Sequence, residues 1–128
     1  MNAPSDAMVL VVEDEALIAM DLQSLLEEAG YRVLGPANSS DAALALLNTG
    51  DPDVALLDVN LGRSDVFAVA NILAERKTQL IFLTGHTAQK LPQAHRHRPL
   101  VAKPYLPHVL LQAVQSALSQ REVSPRIS

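Results

Sequence analysis

The chain predicts an α/β fold of five strand–helix units, (βα)5, around a parallel sheet, and three features of its sequence carry that expectation. Short apolar runs alternate with longer amphipathic stretches, the order expected of parallel strands joined by crossover helices. The runs are apolar throughout, as befits strands covered on both faces. Finally, 128 residues leave room for one core and little more, so all five units belong to a single domain.

The first strand is Val9-Leu10-Val11-Val12, ending in Glu13-Asp14. Ile18, Leu22, Leu25 and Ala29 then form an apolar stripe at helical spacing, with Gly30 as its stop. Arg32-Val33-Leu34 reads as a short second strand. A second helix begins after Asn38-Ser39-Ser40, carries Ala43, Leu44 and Leu47, and ends at the turn formers Asn48-Thr49-Gly50-Asp51-Pro52. The third strand, Val54-Ala55-Leu56-Leu57, closes on Asp58. A helix from about Ser64 turns Phe67, Ala70 and Leu73 inward. Leu80-Ile81-Phe82-Leu83 ends in Thr84, and Leu100-Val101-Ala102 ends in Lys103. Between them, Pro92 and Pro99 bracket a stretch rich in His and Arg, which predicts a short or irregular fourth helix. The last helix has Pro107 near its first position and faces the core with Leu110, Val114, Ala117 and Leu118. Residues 8–120 form the expected domain, with a disordered N-terminal segment at 1–7 and a C-terminal tail at 121–128.

Composition narrows the function classes. With 48% hydrophobic but only 3% aromatic residues, the core is built from Leu, Val, Ile and Ala. Absence of Cys excludes a disulfide framework and a thiolate metal site. No run reaches the roughly 18 apolar residues of a membrane span. The first eight residues contain no basic residue and no long apolar stretch, unlike a signal peptide, so a cytoplasmic location is expected. A net charge of -4 argues against a broad nucleic-acid surface and leaves only a smaller basic patch between Lys90 and Lys103.

Four apolar runs thus end in different polar groups: an acid pair, an acid, a hydroxyl and an ammonium. If the runs are neighbouring parallel strands, these groups converge on one sheet edge. Three carboxylates at one place repel unless a cation compensates them. Mg2+ suits the task, with Mn2+ as the alternative, because it takes one or two protein carboxylates and keeps waters and phosphate oxygens. The acid left over has an oxygen with which to attack a phosphoryl donor, giving an aspartyl phosphate. Lys103 and Thr84 fit the stabilisation of charge on the phosphoryl oxygens. Taken singly, a strand-end acid is a helix cap, Thr84 a turn hydroxyl and Lys103 a solvated charge; their joint order carries the argument.

In this order and spacing, Val9-Leu10-Val11-Val12-Glu13-Asp14-Glu15, Leu56-Leu57-Asp58-Val59-Asn60-Leu61, Thr84-Gly85 and Lys103-Pro104 resemble the motifs of receiver domains of two-component response regulators, over roughly Met8 to Gln120. The resemblance implies a flavodoxin-like sandwich with strand order 2-1-3-4-5. It implies Asp58 as phosphoacceptor, Glu13 and Asp14 as metal ligands directly or through water, and the Asn60 main-chain carbonyl completing the metal site. Lys103 would pair with Asp58 or its phosphate, Thr84 would bond a phosphoryl oxygen, and the Lys103-Pro104 peptide would be cis. The implied donor is a histidine kinase or phosphotransfer protein in a phosphorelay. The implied readout is a downstream protein partner, met as a monomer or a phosphorylation-dependent dimer, without membrane or direct nucleic-acid binding.

The departures matter as well. The family often places Tyr or Phe where this chain has Leu100, so output is expected through Gly85 to Pro99 rather than through an aromatic switch. Phe82-Leu83-Thr84-Gly85, Leu100 and Lys103-Pro104-Tyr105 also resemble a receiver subgroup named for a Phe-Ala-Thr-Gly-hydrophobic-Tyr motif, from which Leu83, His86 and Thr87 depart. Tyr105 is a relocated switch, a partner contact or a half-buried packing aromatic, and His86 is a surface residue or an influence on water access to the phosphate. His95 and His97 lie one residue apart in a basic loop, a poor arrangement for a metal. The resemblance implies catalysis only of the protein's own phosphorylation and dephosphorylation, acting as a stand-alone regulator or as a receiver of a hybrid kinase. A small Mg2+-dependent phosphatase is disfavoured because Asp58-Val59-Asn60 lacks the second Asp of haloacid-dehalogenase-like sites. A phosphorylation-independent interaction module is the remaining alternative.

Overall fold

The computed structural model describes residues 7–61, 65–85 and 91–122. Five strands, β1 (Met8–Val12), β2 (Arg32–Ala37), β3 (Val54–Asp58), β4 (Gln79–Thr84) and β5 (Leu100–Ala102), form one parallel sheet in the order β2-β1-β3-β4-β5. Four helices connect or cover them: α1 (Ala16–Glu28), α2 (Ser40–Leu46), α3 (Val66–Glu75) and α4 (Pro107–Glu122). Among the described residues between β4 and β5, helical structure is limited to one 3-10 turn, Gln93–His95, so the irregular fourth unit expected from Pro92 and Pro99 is what forms. His86 and the other residues of 86–90 lie outside the described residues, as do 1–6, 62–64 and 123–128.

Strand alternation divides the core in two. Leu10, Val12, Ala55, Leu57, Leu80 and Phe82 point to the face covered by α2 and α3, where Ala43, Val66, Val69, Ala70 and Leu73 meet them. Val9, Val11, Leu56, Ile81, Leu83 and Val101 point to the other face, under Leu22 and Leu26 of α1 and Leu110, Val114, Ala117 and Leu118 of α4. Coverage on both sides explains the absence of polar alternation in the strands.

Local chemistry fixes the helix ends. Gly30 adopts φ +99, and the Gly30 and Tyr31 amides donate to Glu27 and Leu26 carbonyls at 3.0 Å each, closing α1 with a Schellman motif. Ser39 Oγ accepts from the Ala42 amide at 3.1 Å to cap α2, and Asp65 Oδ1 accepts from the Phe67 amide at 3.0 Å to cap α3. Pro107 is the first residue of α4, where its missing N–H has no partner to lose. Two inward faces differ from expectation. In α1 the fully buried line is Ala19, Leu22 and Leu26, with Ile18, Leu25 and Ala29 half-buried beside it. In α3, Val66 and Val69 join Ala70 and Leu73, while Phe67 is half-buried.

Strand β2 continues three residues past Leu34, through a cis Gly35-Pro36 peptide. As an edge strand it tolerates Pro. The β1–β2 register shifts between Leu10 and Val12, and the Ala37 carbonyl accepts from the Glu13 amide at 2.9 Å, so this irregularity anchors the first acid of the site. Gly35 has φ +102, and a Cβ there would lie 2.8 Å from Ala37 N and 3.0 Å from Val11 O. Gly35→Ala is therefore expected to cost about 3 kcal/mol, combining backbone strain with a clash against main chain. Gly30→Ala, whose Cβ would meet nothing within 4 Å, is expected to cost about 1 kcal/mol. Urea unfolding of the two variants side by side measures the difference, and equal losses would remove the clash from the account.

Candidate functional site

All strands run in one direction, so their C-terminal ends share one edge of the sheet, the edge at which open α/β sheets bind ligands. Glu13 and Asp14 follow β1, Asp58 ends β3, Thr84 ends β4 and Lys103 follows β5. Pairing of Asp58 with Leu83 and of Thr84 with Ala102 sets the last three side by side across adjacent strands.

The acids converge: one carboxylate oxygen from each of Glu13, Asp14 and Asp58 lies within 4.8 Å of the other two. Glu13 and Asp58 are buried, while Asp14 is exposed. Lys103 Nζ sits 3.1 Å from Glu13 Oε1, 3.4 Å from Asp58 Oδ2 and 3.7 Å from Glu15 Oε1. Its nearest partner is thus Glu13 rather than Asp58 alone. Backbone amides hold the acids in place, Glu15 N donating to Glu13 Oε2 at 3.1 Å and Asn60 N to Asp58 Oδ1 at 2.9 Å. The Lys103 amide donates to the Thr84 carbonyl at 2.8 Å, and the following Lys103-Pro104 peptide is cis.

These contacts produce marked electrostatics. Burial pushes the Glu13 carboxyl up to about 7; the neighbouring Asp58 charge adds to this, against the Glu15 amide and the Lys103 ammonium. Burial works against the Lys103 charge, but the hydrogen bond it donates to Glu13 and the Asp58 carboxylate outweigh it and raise its pKa above the ordinary value. Among the described residues, one ammonium faces three carboxylates within 4 Å, an excess of negative charge. A hard divalent cation with oxygen ligands fits that excess, and Asp14 and Asp58 line the open cavity of about 660 Å³ beside it together with Asn60, Gly85 and Lys103.

Thr84 is buried, and its hydroxyl has no hydrogen-bond partner among the described residues. An unmet buried hydroxyl costs about 1–3 kcal/mol, so this oxygen is poised for an acceptor brought to the edge. Neither Thr84 nor Glu13 lines the cavity itself. Leu100 is 41% exposed on β5, opposite Phe82. Tyr105 is half-buried against the α1/α4 side of the core, and its hydroxyl donates to Asp21 Oδ2 at 2.6 Å. Burial, and then the Asp21 contact, push the Tyr105 pKa up.

Two features had little signal in the sequence. Asp21 looks like any solvated acid on a helix, and its link to Tyr105 spans 84 residues. His95 sits in a basic stretch, yet only 3% of it is exposed. Its ring lies 5.6 Å from that of Phe82 and 6.2 Å from that of Phe67, and its Nε2 is 2.8 Å from Asn71 Oδ1.

Comparison with known proteins identifies the family. Residues 9–115 match the profile of the response regulator receiver domain. Transcriptional regulatory protein PdtaR of Mycobacterium tuberculosis is 34% identical over 121 residues, covering 91% of this chain and 59% of PdtaR. Phyllosphere-induced regulator PhyR of Methylorubrum extorquens is 34% identical over 115 residues, covering 86% of this chain and 43% of PhyR. The chain thus spans about half the length of these curated relatives. Among solved structures, SdrG from Sphingomonas melonis superposes with a TM-score of 0.77 at 34% identity, covering 92% of this chain and 99% of SdrG. PhyR from Brucella abortus gives 0.79 at 32% identity, covering 93% of this chain and 50% of that structure. No helix among the described residues is long and apolar enough to cross a membrane. In sequence, strand order and the convergence of acids and lysine at one sheet edge, the chain belongs to the response regulator receiver domain family.

Proposed function

We propose that the protein is a phosphorylation-dependent signalling receiver that accepts a phosphoryl group on Asp58 from a histidine kinase or phosphotransfer protein. The observation that carries this reading is the placing of the Lys103 ammonium 3.4 Å from Asp58 Oδ2, beside two further acids and a buried hydroxyl without a partner among the described residues. A carboxylate oxygen of Asp58 attacks the phosphorus, the P–N bond of the donor's phosphohistidine breaks, and the leaving imidazole takes up a proton. Mg2+ held by Glu13, Asp14, Asp58 and the Asn60 main-chain carbonyl supplies positive charge against the phosphoryl oxygens when bound. Lys103 orients and neutralises the phosphate, and Thr84 Oγ1 donates to one of its oxygens.

The chain catalyses only its own phosphorylation and dephosphorylation. Its readout is a protein partner reached through Gly85 to Pro99, because exposed Leu100 leaves no aromatic for a rotating switch on β5. Added phosphate brings about -1.5 to -2 charge to the edge. To move a two-state equilibrium from 1:99 to 99:1 it must favour the active form by about 5.5 kcal/mol.

Intact mass after incubation with acetyl phosphate, with and without Mg2+, tests the proposal on wild type and Asp58→Asn. One phosphoryl group is expected, on wild type only and with Mg2+ only. Failure with both acetyl phosphate and a histidine-phosphorylated donor would overturn the reading in favour of a phosphorylation-independent interaction module.

A further inference from the structure

We propose that Tyr105 and Asp21 form a clasp that holds the Lys103-Pro104 loop against α1 and so sets the position of the Lys103 ammonium at the acceptor site. The inference rests on the acceptor role of Asp58 and names two positioning residues for it.

Two elements far apart in sequence wall the cavity at the strand ends. Glu15 and Ile18 come from the start of α1, and Lys103 and Pro104 from the loop after β5. Asp21 lies one helical turn beyond Ile18, and Tyr105 directly follows Pro104, so their hydrogen bond joins the two walls just outside the cavity. At 2.6 Å it is a short, solvent-exposed O–H to carboxylate contact, charge-assisted in kind. The Tyr105 ring is itself half-buried against the core beneath α1 and α4, which restricts the hydroxyl to that side.

The loop has few other fixings at this point. β5 is only three residues long, and the Lys103 amide makes the final backbone bond to β4, donating to the Thr84 carbonyl. Pro104 has no amide to donate. Lys103 then extends between Glu13, Glu15 and Asp58, contacts of 3.1–3.7 Å that a small loop displacement would redistribute. A shift of the loop away from α1 carries the ammonium away from Asp58 while leaving Asp58 on β3 and Glu13 and Asp14 just after β1. Phosphoryl transfer and metal binding are therefore separable: the clasp governs the first and not the second.

The test uses the full chain as wild type, Y105F, D21A, D21N and the Y105F/D21A double variant. Y105F keeps the ring and removes only the donor, and D21N keeps an acceptor oxygen. With saturating Mg2+, the maximal rate of phosphorylation by acetyl phosphate is expected to fall about tenfold in Y105F and in D21A, in keeping with loss of a charge-assisted hydrogen bond. Half-saturating acetyl phosphate and Mg2+ affinity, the latter from amide shifts at Asp14 and Asn60, are expected to stay within about twofold. D21N recovers most of the rate, and the double variant falls no further than either single one. Hydrogen exchange at the Lys103 amide is expected to quicken in Y105F and D21A but not in D21N. Wild-type rates in both single variants, or a double loss equal to the product of the single losses, would overturn the clasp. If wild type itself takes up no phosphoryl group, the acceptor reading fails separately. Lys103 exchange then decides the clasp without phosphorylation, since unchanged exchange in Y105F and D21A means that it holds nothing.

Discussion

Lys103→Met is expected to cost the metal-free protein about 3 kcal/mol of unfolding free energy at pH 8 and only about 1 kcal/mol at pH 5. Lys103 Nζ is 3.1 Å from Glu13 and 3.4 Å from Asp58, and its side chain is 10% exposed, so the substitution strands two buried carboxylates without their cation. Glu13 titrates at about 7 in the fold against 4.5 for the free side chain. Because the folded value is the higher, its contribution to stability is fully present below pH 4.5 and is lost as pH rises through about 7. Lys103 is one of the groups that hold the Glu13 value down, so its removal extends that loss to higher pH. At pH 5 a proton on Glu13 does the work of the missing ammonium, and at pH 8 holding that proton costs stability. Mg2+ at the proposed site would bind only the folded edge and is expected to return part of the loss at pH 8. Urea unfolding at both pH values, with and without Mg2+, reads the effect, and a pH-independent cost would show that Lys103 does not compensate Glu13.

Much of this edge was legible because a parallel sheet converts order along the chain into position in space. Apolar runs long enough to cross the sheet had to place the residues that end them at one edge, and Glu13, Asp14, Asp58, Thr84 and Lys103 lie there. Distances were not legible. Sequence order gave no way to rank Glu13 above Asp58 as the nearest partner of Lys103, because that depends on the Ala37 carbonyl and the Glu15 amide fixing Glu13. Strand β2 was read too short, since Gly35-Pro36 has the composition of a turn and only the edge position of the strand lets it continue. The Phe67 face was read a little out of place because helical spacing alone does not say which neighbour shares the ring. The ring neighbours of Phe67 are Phe82, at 5.7 Å, and His95, at 6.2 Å, and the Pro and Arg residues around His95 mark only a basic loop.

His95 accordingly carries the second large effect: His95→Ala is expected to destabilise the fold by about 2–3 kcal/mol, through lost ring packing and a lost side-chain bond. Both phenylalanines of the chain pack with this imidazole, and the tautomer with its proton on Nε2 donates to Asn71 Oδ1 on α3. The 3-10 turn Gln93–His95 is thereby pinned to α3 through His95. Burial lowers the His95 pKa below its ordinary 6.5, with Arg98 and His97 adding to the shift, and among the described residues Nδ1 has no partner to accept a second proton. With the folded value depressed, this contribution to stability is full above pH 6.5 and is lost as pH falls through the folded value. His95→Phe retains a ring without a titrating group and should therefore differ from wild type by a stability gap that changes over that same acidic window and is constant above it. Comparing urea unfolding of the two proteins from pH 5 to pH 8 cancels the carboxylates and the other histidines. A constant gap throughout would mean that His95 takes up its proton without leaving the core, and the pinning of the β4–β5 segment would then rest on packing alone.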